Sequence, residues 1–271
     1  MTQLNEVGAA DDAPGETEGR TLQRYFIGNI PFGFEVAENG MEMSGDATLS
    51  DALRSFESGP PRPSVLATIA DCMAGIPACW VTSPNLAVTL DIAVWLAAER
   101  CGNDLSMTGR IVKRGLSTVA GEIRFSDATT AELVAISYLT FMPSPRPQDQ
   151  APPHTTTMRT NGSMPVPFPE HVGVRVLSAG VAEVDLVRFT TQAAGTLQGG
   201  IVALVAEVAA ESLTATPVLD LDVHYLNAVR VGPGRATAER VGRDLVRVEV
   251  RDSGSDDRLA ALVMARTAPP R

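Results

Sequence analysis

The chain has 271 residues, 44% of them hydrophobic, and a formal net charge of −10, which suits one large globular domain or two small ones. Such an acidic balance repels a phosphate backbone and excludes a general nucleic-acid binder, while Lys113 as the single lysine leaves no polybasic membrane patch and little choice for Schiff-base chemistry. Cys72, Cys79 and Cys101 make neither a disulfide framework nor a zinc spacing, so no metal and no cofactor are expected.

Residues 1–20 are rich in Gly, Ala, Asp and Glu without apolar periodicity and read as a disordered tail. They lack a signal peptide's charged-then-apolar pattern, and no apolar run reaches the roughly 18 residues of a membrane span. A cytoplasmic protein without a membrane partner is therefore expected. A first domain is assigned to 21–143, a Pro-rich linker to 144–165 and a second domain to 166–271. The stretch from Pro143 to Pro169 is expected to be unstructured, because proline removes backbone donors and fixes φ.

The two halves repeat one pattern. Each opens with an apolar stretch ending in glycine, FIGNIPFGFEVAENG (26–40) and FPEHVGVRVLSAG (168–180). Each continues with an apolar, helix-like run, SVLATIADCMAGIPACWV (64–81) and GIVALVAEVAAESL (200–213), in which Asp71 and Glu207 stand among apolar neighbours. Strand-like runs follow, LAVTLDIAVWL (86–96) and VLDLDVHYL (218–226), and then hairpins bending at Arg114-Gly115 and Val241-Gly242, each leading into a last strand. The order β–α–β–β–β appears twice, so the chain reads as an α+β internal duplication, with a helix on one face of a curled sheet in each half. Cys72 and Cys79 share a helical face as packed thiols, Trp80 and Trp95 are expected in the core or the wall of a pocket, and His224 is read as a structural or rim residue.

Gln198-Gly199-Gly200, with Glu207 nine residues after Gln198 and His224-Tyr225-Leu226 ending the next strand, resembles the hotdog-fold acyl-CoA thioesterases of the phenylacetate-degradation and 4-hydroxybenzoyl-CoA type. That family places His-Gly-Gly at the start of its central helix and an Asp or Glu nine residues after the His. In the first half Asp71 within LATIAD holds the acidic position and Val94-Trp95-Leu96 the strand position. The sequence departs from the pattern at the histidine, where Gln198 stands in the second copy, and Arg62-Pro63-Ser64 replaces the triplet in the first. Gln192, fifteen positions before Glu207, matches a frequent family amide; Phe56 stands at the corresponding place in the first half.

The resemblance implies two tandem hotdog domains paired as a pseudo-dimer. Gly200 and Glu207 would lie about 10 Å apart along one helix axis, too far for one thioester carbonyl. The family's answer is two central helices side by side, each site taking its helix start from one domain and its carboxylate from the other. One composite site then joins Asp71 to Gly199, Gly200, Gln192 and Gln198, and is the favoured active site: glycines admit a ligand closely, and a helix-start N–H can hold an oxyanion. The other joins Glu207 to Pro63 and Ser64 and is expected to be weakened or lost. The carboxylate acts as nucleophile or as general base. Arg114, Arg240 and Arg243 are candidates for the phosphates of coenzyme A.

The expected protein is thus an acyl-CoA thioesterase acting on an acyl-CoA substrate, assembled as a homo-oligomer, a dimer of pseudo-dimers. The alternative is a non-catalytic acyl-CoA or lipid-binding hotdog protein. A hotdog hydratase would need an Asp with a His five residues later on a loop, which is missing from the sequence.

Overall fold

The computed structural model describes residues 25–56, 59–147, 156–192 and 194–269; the tail expected over 1–20 lies outside them. The first half contains β1 (Phe32–Val36), β2 (Glu42–Thr48), α1 (Pro63–Thr82), β3 (Asn85–Leu96), β4 (Asp104–Arg114), β5 (Val119–Asp127), β6 (Leu133–Pro147) and β7 (Thr157–Thr160). The second contains the short α2 (Phe168–Val172), then β8 (Arg175–Ser178), β9 (Val181–Val184), α3 (Gly199–Thr214), β10 (Val218–Tyr225), β11 (Gly234–Arg240), β12 (Leu245–Asp252) and β13 (Arg258–Thr267). The opening stretch of each half is a hairpin and four strands rather than three follow each long helix, so, β7 apart, each half reads β–β–α–β–β–β–β where β–α–β–β–β was expected. Gly40 and Gly180 turn these two hairpins at φ +66° and +80°, backbone that side chains with a Cβ rarely adopt.

All thirteen strands form one antiparallel-paired sheet in the order β7-β1-β2-β4-β5-β6-β3-β10-β13-β12-β11-β9-β8. The halves join where β3 pairs with β10, with Ile92 opposite Val223 and Val94 opposite Leu221. Along β10, Leu221, Val223 and Tyr225 alternate toward the core, and His224 faces out, its Nδ1 2.5 Å from Asp91 Oδ1. Trp95 also departs from expectation: it is exposed and packs edge-on against Tyr138.

The two long helices fill the inside of the sheet. Pro63 suits the first turn of α1, where its missing N–H would have no helical partner. From Val65 to Ala70 and from Gly200 to Ala210 every residue is buried, as befits helices apolar on all sides. By length and composition α1 could cross a membrane, although no run of that kind was expected; most of it is covered by the protein's own core.

The segment expected to be an unstructured linker is partly strand. β6 runs on through Pro143 to Pro147 against β3, and β7 covers the outer edge of β1. Prolines fit here because β5 stops opposite Phe141, leaving β6 with an open edge that needs no donor.

α1 and α3 run antiparallel and in close contact. A Cβ on Gly200 would overlap Thr68 Oγ1 and lie 2.9 Å from Thr68 Cβ. Gly200→Ala is therefore expected to lower stability by about 1–3 kcal/mol in denaturant unfolding. Thr68→Ala added to it should recover part of the loss, because it removes the overlapping hydroxyl.

Candidate active site

Asp71 lies one turn beyond Thr68 on α1, at the level of the start of α3, and is partly buried. Burial pushes its carboxyl up to about 6, an effect opposed by the Thr89 hydroxyl, which donates to Oδ1 at 2.8 Å. The register of β3 shifts between Thr89 and Asp91; an extra residue at such a bulge re-aims its neighbours, and Thr89 points at α1. From the other half, Tyr225 donates its hydroxyl to the Gly199 carbonyl at 2.9 Å. Its phenol is held far above its ordinary pKa by burial and by the negative charge of Asp71. Tyr225 thus links the first residue of α3 to the surroundings of Asp71. Burial first, and Asp71 second, also raise the Cys72 thiol, so that it stays protonated beside the carboxylate.

The start of α3 is capped by its own N-cap residue: Gln198 Oε1 accepts from Gly200 N–H at 2.5 Å and Ile201 N–H at 3.3 Å. The N–H expected to hold an oxyanion is thus occupied by an amide oxygen. Gln192, expected to orient substrate, is exposed in the preceding loop and donates to Thr196 Oγ1 at 2.7 Å.

At the opposite end the same geometry has another outcome. Glu207 is fully buried and its Oε2 accepts from Ser64 N–H at 3.1 Å, while Oε1 lies 3.0 Å from Arg62 Nη1. The same Arg62 nitrogen is 2.9 Å from Glu211 Oε2. Burial and the charge of Glu207 raise the Glu211 carboxyl, and Arg62 pulls it back. The carboxylate therefore caps the helix start it was expected to serve, and Arg62 is wedged between two acids.

The strand registers also place the arginines. Arg114, Val119, Phe141 and Thr89 form one row across β4, β5, β6 and β3, so Arg114 sits three strands, about 14 Å, from Thr89. Arg240 and Arg243 lie at the β11–β12 bend, with Arg240 donating to the Arg243 carbonyl. That bend reaches Ala265, Leu221 and Val94 across the sheet, the end of β3 remote from Thr89, so Arg243 is not at the Asp71 end. Two clefts, of about 750 and 550 Å³, lie away from Asp71: one over the outer face of β1, β2, β4 and β5, the other beside Pro60 and Thr216. Among the described residues no His, Cys, Asp and Glu side chains gather as a metal site.

The surroundings of the two carboxylates therefore include Thr68, Thr89 and Tyr225 at one end and Arg62 at the other, none of which was singled out as a site residue from sequence. Tyr225 stood inside the recognised strand motif, and its alternation with Val223 was the available signal. Thr89 had none, because a bulge decides its direction.

No family model matches the sequence, and the search of curated proteins finds no match. Solved structures do. A protein described as an oleoyl thioesterase from Lactobacillus plantarum is 15% identical, with a TM-score of 0.58 over 87% of this chain and 98% of its own. An acyl-ACP thioesterase from Bacteroides thetaiotaomicron is 11% identical, with a TM-score of 0.58 over 86% and 100%. The 12:0-ACP thioesterase from Umbellularia californica is 10% identical, with a TM-score of 0.58 over 84% and 98%. The chain shares with them the hotdog fold, an antiparallel sheet curled around central helices.

Two stability tests follow from the two carboxylates. The folded-state pKa of Asp71, about 6, lies above the ordinary 3.8, so the folded state holds its proton longer and loses stability as pH rises between these values. Asp71→Asn should abolish that loss, making the variant more stable than the parent by about 1–3 kcal/mol above pH 6, with the difference vanishing below pH 4. At the other end, Arg62→Met leaves two buried carboxylates without their cation and should cost about 3–5 kcal/mol in denaturant unfolding. Adding Glu207→Gln and Glu211→Gln should restore much of that.

Proposed function

We propose that the chain is a thioester hydrolase in which two hotdog halves, one on each side of the Pro-rich segment, act as a pseudo-dimer on an acyl-CoA or similar acyl thioester. The observation that carries the reading is a carboxylate with a pKa of about 6, facing the start of a helix from the other half. A base is most effective when its pKa lies near the working pH. Asp71 has that property, and Glu207, neutralised by Arg62 and tied to Ser64 N–H, does not have a free face.

In this reading the substrate carbonyl oxygen takes the place of Gln198 Oε1 at Gly200 N–H. The amide dipole and the helix start then stabilise the negative charge that develops on that oxygen. Asp71 either attacks the carbonyl carbon, expelling the thiolate and leaving a mixed anhydride for water to cleave, or takes a proton from water as it attacks. Both routes end in a carboxylic acid and a free thiol. Thr89 holds the Asp71 carboxylate in one orientation, and Tyr225 holds Gly199. Neither Cys72 nor Cys79 serves as nucleophile, since burial raises both thiols. A non-catalytic acyl-thioester binder is the second reading, favoured by the occupied Gly200 N–H.

The test is release of free thiol from acyl-CoAs of varied chain length and aryl type. Asp71→Asn should lose at least about a hundredfold in kcat, while Glu207→Gln retains activity wherever it folds. For the parent, kcat/KM should rise with pH through about 6 as Asp71 ionises. Thr89→Val removes a donor that favours the charged form, so the limb should move to higher pH. Binding without thiol release by any of these proteins would establish the second reading.

A further inference from the structure

We propose that Arg188, Arg230 and Arg258 form a cationic rim around the start of α3 that binds the phosphate of a phosphopantetheine arm. This rests on the hydrolase reading only for its choice of mouth. Gln198 N–H donates to the Thr190 carbonyl at 3.0 Å, and Leu197 N–H to the Val229 carbonyl at 3.0 Å. The turn Arg188–Thr190 and the loop through Arg230 therefore flank the residues that lead into Gly199. Arg258 Nη2 donates to the Ala228 carbonyl at 3.0 Å, which holds its guanidinium against the same loop.

All three arginines are exposed, and neither Arg188 nor Arg230 has a carboxylate partner among the described residues. The nearest acids already have partners, and for Asp252 one of them is Arg258 itself. Asp185 is paired with Arg175 at 2.7 Å. Asp252 accepts from the backbone N–H groups of Arg230, Val231 and Gly232, an arrangement that turns its charge toward the loop's backbone. In a chain of net charge −10, Arg188 and Arg230, with Arg258 partly offset by Asp252 beside them, make a local field of the opposite sign, and exposed guanidinium groups suit phosphate oxygens.

The other end of the molecule is an internal control. Arg62 N–H donates to the Leu53 carbonyl as Gln198 N–H does to Thr190, so the turn Asp51–Leu53 matches Arg188–Thr190 and Asp51 stands where Arg188 does. Asp127 accepts from Gly102 N–H as Asp252 does from Gly232 N–H, which matches Arg100 to Arg230. Asp127 N–H donates to the Glu132 carbonyl, whereas Asp252 pairs with Arg258, which matches Glu132 to Arg258. Two acids and one arginine thus border the closed Glu207 end, against three arginines at the Asp71 end. The charge difference follows the end whose acid has no cation beside it.

The phosphate can come from coenzyme A or from a carrier protein bearing the same arm. The experiment measures binding of pantetheine, 4′-phosphopantetheine, coenzyme A and a phosphopantetheinylated acyl carrier protein by calorimetry, with the parent, Arg188→Ala/Arg230→Ala, and Arg100→Ala. Among the described residues neither the Arg188 nor the Arg230 side chain has a hydrogen bond or ion pair to lose. The phosphorylated ligands should bind the parent more tightly than pantetheine, and the double variant should weaken them about tenfold or more. Arg100→Ala should leave them unchanged. Coenzyme A alone responding assigns the free cofactor as source, and the carrier protein alone responding assigns that. If no phosphorylated ligand distinguishes the double variant from the parent, the rim proposal is overturned, whatever the hydrolysis assay shows. If the rim binds and no thioester is cleaved, the hydrolase reading falls and the rim stands.

Discussion

The contact between Gly200 on α3 and Thr68 on α1 sets the geometry from which both ends of the molecule follow. Two apolar helices approach closely only where one of them lacks a Cβ, and the overlap that any side chain would make at Gly200 shows how little room there is. Because the helices are antiparallel, sliding one along the other moves both ends together. One contact near the start of α3 therefore puts Asp71 beside Gly199 and, half a helix away, Glu207 beside Ser64. The pairing of β3 with β10 then fixes that register from the sheet side.

Identical geometry leaves the two carboxylates in opposite states, and the difference lies in what precedes each helix. Before α1 stands Arg62, long and charged, which reaches Glu207 and Glu211 and keeps an anion in the core. Before α3 stands Gln198, neutral, which turns back to cap its own helix and offers Asp71 no compensating charge. A buried anion without a cation is costly, and the raised pKa of Asp71 is that cost expressed as proton affinity. Only a hydroxyl, Thr89, offsets it. A group held in this way weakens the fold, whereas Glu207, held by Arg62 and the Ser64 N–H, ties the two helices together.

The two central helices and the isolated acid in each were legible because they depend on period and spacing, which recur in the two halves. An acid in the middle of LATIAD or ALVAEV has few bland explanations. What was not legible depends on contacts between distant segments. The direction of Thr89 follows from a bulge in β3, and the partner of Arg62 lies 145 residues away. Proline content suggested that residues 144–165 lacked structure, yet an open sheet edge accepts prolines, and β6 and β7 occupy part of that stretch. The arginines were misjudged for a related reason: both hairpin bends looked equivalent in sequence, but antiparallel pairing sends them to opposite ends of the sheet.

Two similar halves in one chain can differ in a way that two copies of a single half could not. In a symmetric dimer every substitution appears at both ends, so an arginine that locks one carboxylate also locks the other. In a single chain the change before α1 need not appear before α3. One end can then become a buried charge cluster tying α1 to α3, while the other keeps an unpaired carboxylate whose burial destabilises the fold. Breaking such a cluster is strongly unfavourable, so it resists separation of the halves at the very interface that Asp71 weakens. The charge pattern at the two mouths fits the same division: the end that holds Glu207 in an ion pair carries Asp51 and Glu132, and the end that leaves Asp71 free carries Arg188 and Arg258. The asymmetry of the two ends is thus one arrangement, in which the ion-paired end supplies the stability that a desolvated, cation-free carboxylate removes.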